Sequence, residues 1–248
     1  MKLLNILGLS TLLFAMPVLA QQATDAAPPP PPPPPWFSEA EAGAIVVSGN
    51  NDSESYNAKA KSTYVWDKNS LIGSGRYLKT DSLGVESARN WEAGLRYERE
   101  LNDYFSLFVG QKAESDVYNG YVQRDSTDAG LKYFLTKTDN ITWTTEAGYR
   151  YQVTNSTTGE IARDSMGRAY TEYNQKVRQD LTFKYWLEYL PNFTNADAYL
   201  VNTEASLNVM LNSRLSFKVA YLLQYQNELP AGAKYSTTTT TMNLVAKF

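Results

Sequence analysis

Ile141-Thr142-Trp143-Thr144-Thr145-Glu146-Ala147-Gly148-Tyr149-Arg150-Tyr151-Gln152 decides the fold. Ile141, Trp143, Thr145, Ala147, Tyr149 and Tyr151 share one parity, and Thr142, Thr144, Glu146, Arg150 and Gln152 share the other. A strand turns successive side chains to opposite faces, so this is a strand with one apolar, aromatic face and one polar, charged face. Tyr56 to Asp67 and Leu215 to Tyr225 repeat the pattern. So does a start motif of apolar residue, Ser or Thr, then apolar or aromatic residue: Phe105-Ser106-Leu107, Ile141-Thr142-Trp143, Leu181-Thr182-Phe183 and Leu215-Ser216-Phe217. With a weaker copy at Leu71, the starts fall at 71, 105, 141, 181 and 215, a period of about 34 to 40 residues. Two strands, one tight turn and one longer loop have that length, which is the hairpin unit of an up-and-down barrel.

Strands are expected near 37–47, 54–67, 71–80, 88–100, 104–115, 122–134, 140–153, 168–177, 181–189, 198–209, 214–226 and 237–248. The fold class is therefore all-β: a closed up-and-down antiparallel transmembrane β-barrel of about 12 strands over residues 36–248. Tight turns are expected on one side. Longer loops at 48–53, 81–87, 116–121, 154–167, 190–197 and 227–236 are expected on the other.

A soluble β-sandwich also alternates, so the distribution along each strand matters. Aromatics gather at strand ends: Tyr64, Trp66, Phe105, Trp143, Phe183, Phe217 and Phe248 on the turn side, and Tyr56, Tyr77, Trp91, Tyr151, Tyr189, Tyr199 and Tyr225 on the loop side. Small and aliphatic residues such as Ala58, Ala60, Gly73, Ala93, Ala129 and Ala147 fill the middle. Amphipathic rings prefer the two membrane interfaces, whereas a soluble core would centre its largest rings. The outer partner is then outer-membrane lipid.

The polar face carries nine acids and ten bases in this reading, a near balance that favours ion pairing over strong selectivity. Its candidate lumen-lining residues are Lys59, Lys61, Arg76, Glu92, Arg96, Glu146, Arg150, Lys184, Glu204 and Lys218. Thr238, Thr240, Met242, Leu244, Ala246 and Phe248 form the last alternating face. A terminal aromatic there resembles the signal read by the barrel assembly machinery, which makes Phe248 the candidate assembly signal.

The leading residues differ from the rest. Residues 1–20 read as a signal peptide, with Lys2 before a continuous apolar run and Val18-Leu19-Ala20 as the cleavage site. Residues 21–35 read as a periplasmic linker ending in an unbroken run from Pro28 to Pro35. Polyproline II at ~3.1 Å per residue makes that run a spacer of roughly 25 Å, or a docking peptide for a periplasmic partner.

Composition excludes several functions. The chain has 248 residues, a net charge of -3, no Cys and no His. Cys-based metal, thiol and disulfide chemistry is absent, and so is a His-containing catalytic triad. An acidic chain without a basic cluster is not expected to bind nucleic acid. Asn50-Asn51-Asp52-Ser53-Glu54 reads as a polar turn before it reads as a calcium loop, and Gly73-Ser74-Gly75 lacks the helix and Lys of a phosphate loop. No enzymatic activity, cofactor or metal is expected.

Ser48-Gly49-Asn50-Asn51-Asp52-Ser53-Glu54-Ser55-Tyr56-Asn57-Ala58 is similar to the opening motif of a Gram-negative family. Glu188-Tyr189-Leu190-Pro191, Asn202 to Leu207, Leu215 to Lys218 and Leu229-Pro230-Ala231-Gly232 resemble it too. The family is domain of unknown function family 481, whose members are called YdiY-like or salt-induced outer-membrane proteins. The resemblance spans about residues 39–248 and implies a barrel in the cell outer membrane, without an agreed activity. Three functions fit: a narrow channel for ions or small solutes, a closed structural barrel serving envelope stress, or an adhesion or binding module working through its loops.

Overall fold

A computed structural model describes residues 35–47, 52–228 and 235–248. The leader, nearly all of the proline-rich linker, most of the first polar turn and residues 229–234 lie outside them. Twelve strands follow in chain order: β1 (Trp36–Val47), β2 (Ser53–Trp66), β3 (Asn69–Ser82), β4 (Val85–Glu100), β5 (Phe105–Asp116), β6 (Tyr121–Lys137), β7 (Ile141–Ser156), β8 (Ile161–Lys176), β9 (Leu181–Pro191), β10 (Tyr199–Met210), β11 (Leu215–Gln226) and β12 (Ser236–Lys247). Each pairs antiparallel with its chain neighbours, and β1 pairs with β12, so the sheet closes. Closure removes the free edges that an open sheet would have to protect. The seam is short, running from Glu39↔Lys247 to Ala42↔Leu244. Phe248 extends it: its N–H donates to the Ser38 carbonyl at 2.8 Å, and the Ser38 N–H donates back at 3.2 Å.

The strands are 11 to 17 residues long, beyond the ~9–11 that cross a bilayer at a tilt. Their polarity is inverted relative to a soluble protein. Leu95, Val109, Leu131, Leu207, Met242 and Leu244 are exposed on the outside, while Glu146, Arg150, Arg168 and Glu188 are buried within. That apolar outer surface suits lipid, not water. Girdles border it. Trp36, Tyr64, Trp66 and Tyr97 form successive ring contacts on the turn side, and Tyr189, Tyr199, Tyr225 and Tyr235 do so on the loop side.

Two loop expectations are corrected. The 81–87 loop is a two-residue turn in which Leu83 (φ 53) and Gly84 (φ 76) are both left-handed, the geometry that matches hairpin twist. The 154–167 loop is mostly strand: β7 and β8 continue to Ser156 and from Ile161, leaving four residues with Gly159 at φ 87. Arg163 and Asp164 pair with Val153 and Gln152 within this extension, so they belong to the sheet and not to a flexible loop.

Candidate functional site

The inner face takes odd-numbered residues on β1, β2 and β12, and even-numbered ones on β3 to β11. Side-chain contacts between strands that are not neighbours establish it. Arg96 on β4 reaches Glu146 on β7 through both carboxylate oxygens, at 2.6 and 3.1 Å. Lys59 on β2 meets Glu204 on β10 at 3.4 Å, and Lys218 on β11 meets Glu41 on β1 at 2.9 Å. Such pairs join only across the interior.

One part of the interior is packed solid, and glycine is the reason. Gly130 and Gly148 are directly paired on β6 and β7. A Cβ at Gly130 would lie 2.4 Å from the Ala147 carbonyl oxygen and 2.8 Å from the Phe108 ring. The two glycines make a flat platform, and Phe108, only 4% exposed, lies on it. The Arg96 guanidinium covers the ring at 3.9 Å and that of Arg168 approaches at 5.5 Å, an arrangement worth ~2 kcal/mol when desolvated.

Around this stack the charges are saturated. Arg96 also donates to Glu98 at 2.7 Å, and Lys132 holds the same carboxylate at 3.0 Å. Arg150 grips Asp128 in a fork at 2.6 and 2.8 Å and reaches Glu188 at 3.1 Å. Arg168 bonds Glu188 at 2.8 Å and Glu146 through its other arm. Four bases meet four acids. Buried charges require this mutual satisfaction, because desolvating an unpaired ion costs several kcal/mol.

Beside the packed wall runs a cavity of about 490 Å³. Its lining reaches from Glu39, Lys61 and Lys184, near the turn-side ends of their strands, to Asn119, Tyr235 and Thr237 at the loop side. Cations enter from three sectors: Lys59, Lys61 and Arg76; Lys112, Arg124 and Arg150; Arg168, Lys184 and Lys218. Against these nine stand six carboxylates, Glu39, Glu41, Glu92, Glu114, Glu188 and Glu204. Three of the nine, Arg150, Arg168 and Lys184, are paired with Asp128, Glu146 and Glu172, which lie just behind the lining. With those partners counted, nine carboxylates stand against the nine cations, and the local excess is confined to the wall where Arg76, Lys112 and Arg124 face Glu92 and Glu114.

Eight of the ten candidate lumen residues line this cavity: Lys59, Lys61, Arg76, Glu92, Arg150, Lys184, Glu204 and Lys218. Arg96 and Glu146 also face inward but are spent on each other in the packed wall. Three important inner residues escape a sequence reading. Arg168 sat at the border of the expected loop. Phe108 sits in the apolar run Leu107-Phe108-Val109, which has no alternation. Tyr121 has the wrong parity, and a register shift between Tyr121 and Gln123 brings it onto the face of Arg124, whose guanidinium stacks on its ring at 3.7 Å. The glycines at matching inner positions, Gly130 and Gly148, were the available signal for something large lying above them.

The family described as "Protein of unknown function, DUF481" matches residues 40–248. The protein YdiY of Escherichia coli (strain K12) is 28% identical over 206 residues, covering 82% of this chain and 79% of its own. Among solved structures, the NanC porin superposes with a TM-score of 0.53 at 10% identity, over 85% of this chain and 98% of that one. The COG4313 outer membrane channel from Pseudomonas putida F1 gives 0.52 at 10% identity, over 86% and 94%. At such identities these two show a shared fold, a closed barrel of the outer-membrane porin kind. The chain belongs to the DUF481 family, as its opening and C-terminal motifs led us to expect.

Proposed function

We propose that the protein is an outer-membrane channel for small solutes, with an anion-favouring patch at Arg76, Lys112 and Arg124 in its lumen. One observation carries the proposal: the charged cavity beside the packed wall, lined from the turn-side half of the barrel to its loop-side mouth, where Arg76, Lys112 and Arg124 outnumber Glu92 and Glu114. A low-dielectric wall concentrates the field of such an excess inside the bore. The lipid-facing girdles support placement in the outer membrane. Purified, refolded protein whose folding is verified by heat-modifiable gel migration should give discrete conductance steps in a planar bilayer.

The second reading is a closed structural barrel, favoured by the saturated Arg96–Glu146–Arg168–Glu188 network. Silence from verified folded protein would select it and reject the channel.

A further inference from the structure

The arginines of the lumen fall into two kinds. Arg96, Arg150 and Arg168 are committed, each with two carboxylate partners at 3.1 Å or less. Arg76 and Arg124 are not. Each line the cavity and each has a single, long carboxylate contact, Arg76 to Glu92 at 3.3 Å and Arg124 to Glu114 at 3.4 Å. A guanidinium carries five N–H donors. In both residues the Nε–H is buried and lacks a hydrogen-bond partner among the described residues. A buried donor without an acceptor costs about 1–3 kcal/mol. The buried Nε–H groups lie out of a solute's reach, but each side chain spends only one Nη on its carboxylate, so Nη donors remain beside the open space.

Their placement is regular. Arg76, Glu92, Glu114 and Arg124 stand side by side in one row across β3 to β6, in direct register. Lys112, one step along β5, holds Glu114 at 2.6 Å and takes up much of that carboxylate's charge. This wall of the cavity thus presents three cations to two carboxylates. The opposite wall, from β10 to β12 at the loop side, has a different character. It offers Gln224 and Gln226, with Leu200 and Leu222 beside them; its carboxylate, Glu204, is held by Lys59 and Lys218, while the Thr237 hydroxyl donates to Asn119 and the Asn202 amide to Glu188.

We propose that the loop-side half of the lumen is a binding subsite for a small organic oxyanion, its acid group on the Arg76–Arg124 wall and its uncharged, hydrogen-bonding body on the β10–β12 wall. An oxyanion accepts from guanidinium donors in the bidentate geometry that a chloride ion cannot use. The Gln224 and Gln226 amides opposite match a hydroxylated body. The inference deepens the channel reading, since it rests on solute entering the same lumen.

Binding is measurable without conduction. Folded protein in detergent would be titrated with D-gluconate, with acetate as an acid lacking the body and with D-sorbitol as a body lacking the acid. Calorimetry gives affinity. The fluorescence of Trp186, the one tryptophan among the cavity-lining residues, reports location, with W186F as the control. Gluconate should bind at least tenfold more tightly than either comparison compound, with a fluorescence change absent in W186F. The double substitution Arg76→Gln and Arg124→Gln should weaken it at least tenfold while heat-modifiable migration is retained. Equal binding of sorbitol would overturn the acid subsite. Equal binding of acetate would overturn the role of the β10–β12 wall. Unchanged affinity in a folded double variant would overturn the assignment of the arginines. Conduction without gluconate binding removes this inference and leaves the channel standing; binding without conduction supports the subsite and removes the channel.

Discussion

The two walls of the lumen use the same residue types for opposite ends. In the network of Arg96, Arg150 and Arg168, arginines are forked onto carboxylates at 2.6 to 3.1 Å, and an aromatic ring on a glycine platform fills what remains. On the cavity side, Lys59, Arg76 and Arg124 stand at 3.3 to 3.4 Å from single partners, beside open volume. Charge alone does not distinguish a plug from a pore lining. What distinguishes them is how many donors are already spent, and whether the neighbouring positions are filled. Gly130 and Gly148 allow filling because Phe108 lies on them, whereas the Ser74 and Gly94 pair, in register between Lys61 and Lys112, leaves the cavity side shallow.

Breaking the saturated wall should have the largest effect. Glu188→Ala removes the shared acceptor of Arg150 and Arg168 and leaves two partly uncompensated buried charges. We expect a loss of about 3–5 kcal/mol, read as a lower urea midpoint for the barrel in lipid vesicles. Gly130→Val comes next. Its side chain collides with the β7 backbone and with Phe108, and overpacking of this kind costs about 1–3 kcal/mol; the temperature of heat-modifiable unfolding should fall accordingly. Arg76→Gln tests the other wall. It should cost clearly less stability than Glu188→Ala, because its ion pair is long and single and its buried Nε–H has no acceptor to lose, yet reduce the preference for anions in current–voltage recordings. Arg178→Gln sets the baseline. Its pair with Asp180 lies on an exposed turn, with side chains 67% and 51% accessible, and should contribute under about 0.5 kcal/mol by the same unfolding measurement. Equal effects of Glu188→Ala and Arg76→Gln on stability would erase the distinction between the walls.

Much of this architecture was legible in the sequence, because lipid on one side and water on the other force a period of two wherever a strand spans the bilayer. The stretch from Ile141 to Gln152 shows it cleanly, and the girdles followed from aromatic positions alone. Legibility failed where that contrast fails. From Ile161 to Gly167 the β8 strand alternates Ile161, Arg163, Ser165 and Gly167 with Ala162, Asp164 and Met166, and neither set is uniformly polar. The pattern vanishes, so a loop was expected and Arg168 was missed. Phe108 was missed because its environment is made by glycines on β6 and β7 that are distant in sequence. Tyr121 was missed because it fell in the expected 116–121 loop, and the bulge that follows it exchanges faces, which parity cannot foresee. The count of inner charges was nearly right, but their distribution between a spent wall and an open lining depends on side-chain geometry across the bore.

The most direct test of the anion-favouring patch in the lumen is the reversal potential of the folded protein in a planar bilayer under a potassium chloride gradient. The account predicts discrete channels whose reversal potential shifts toward that of chloride. A shift toward potassium, or no conductance from verified folded protein, would contradict it.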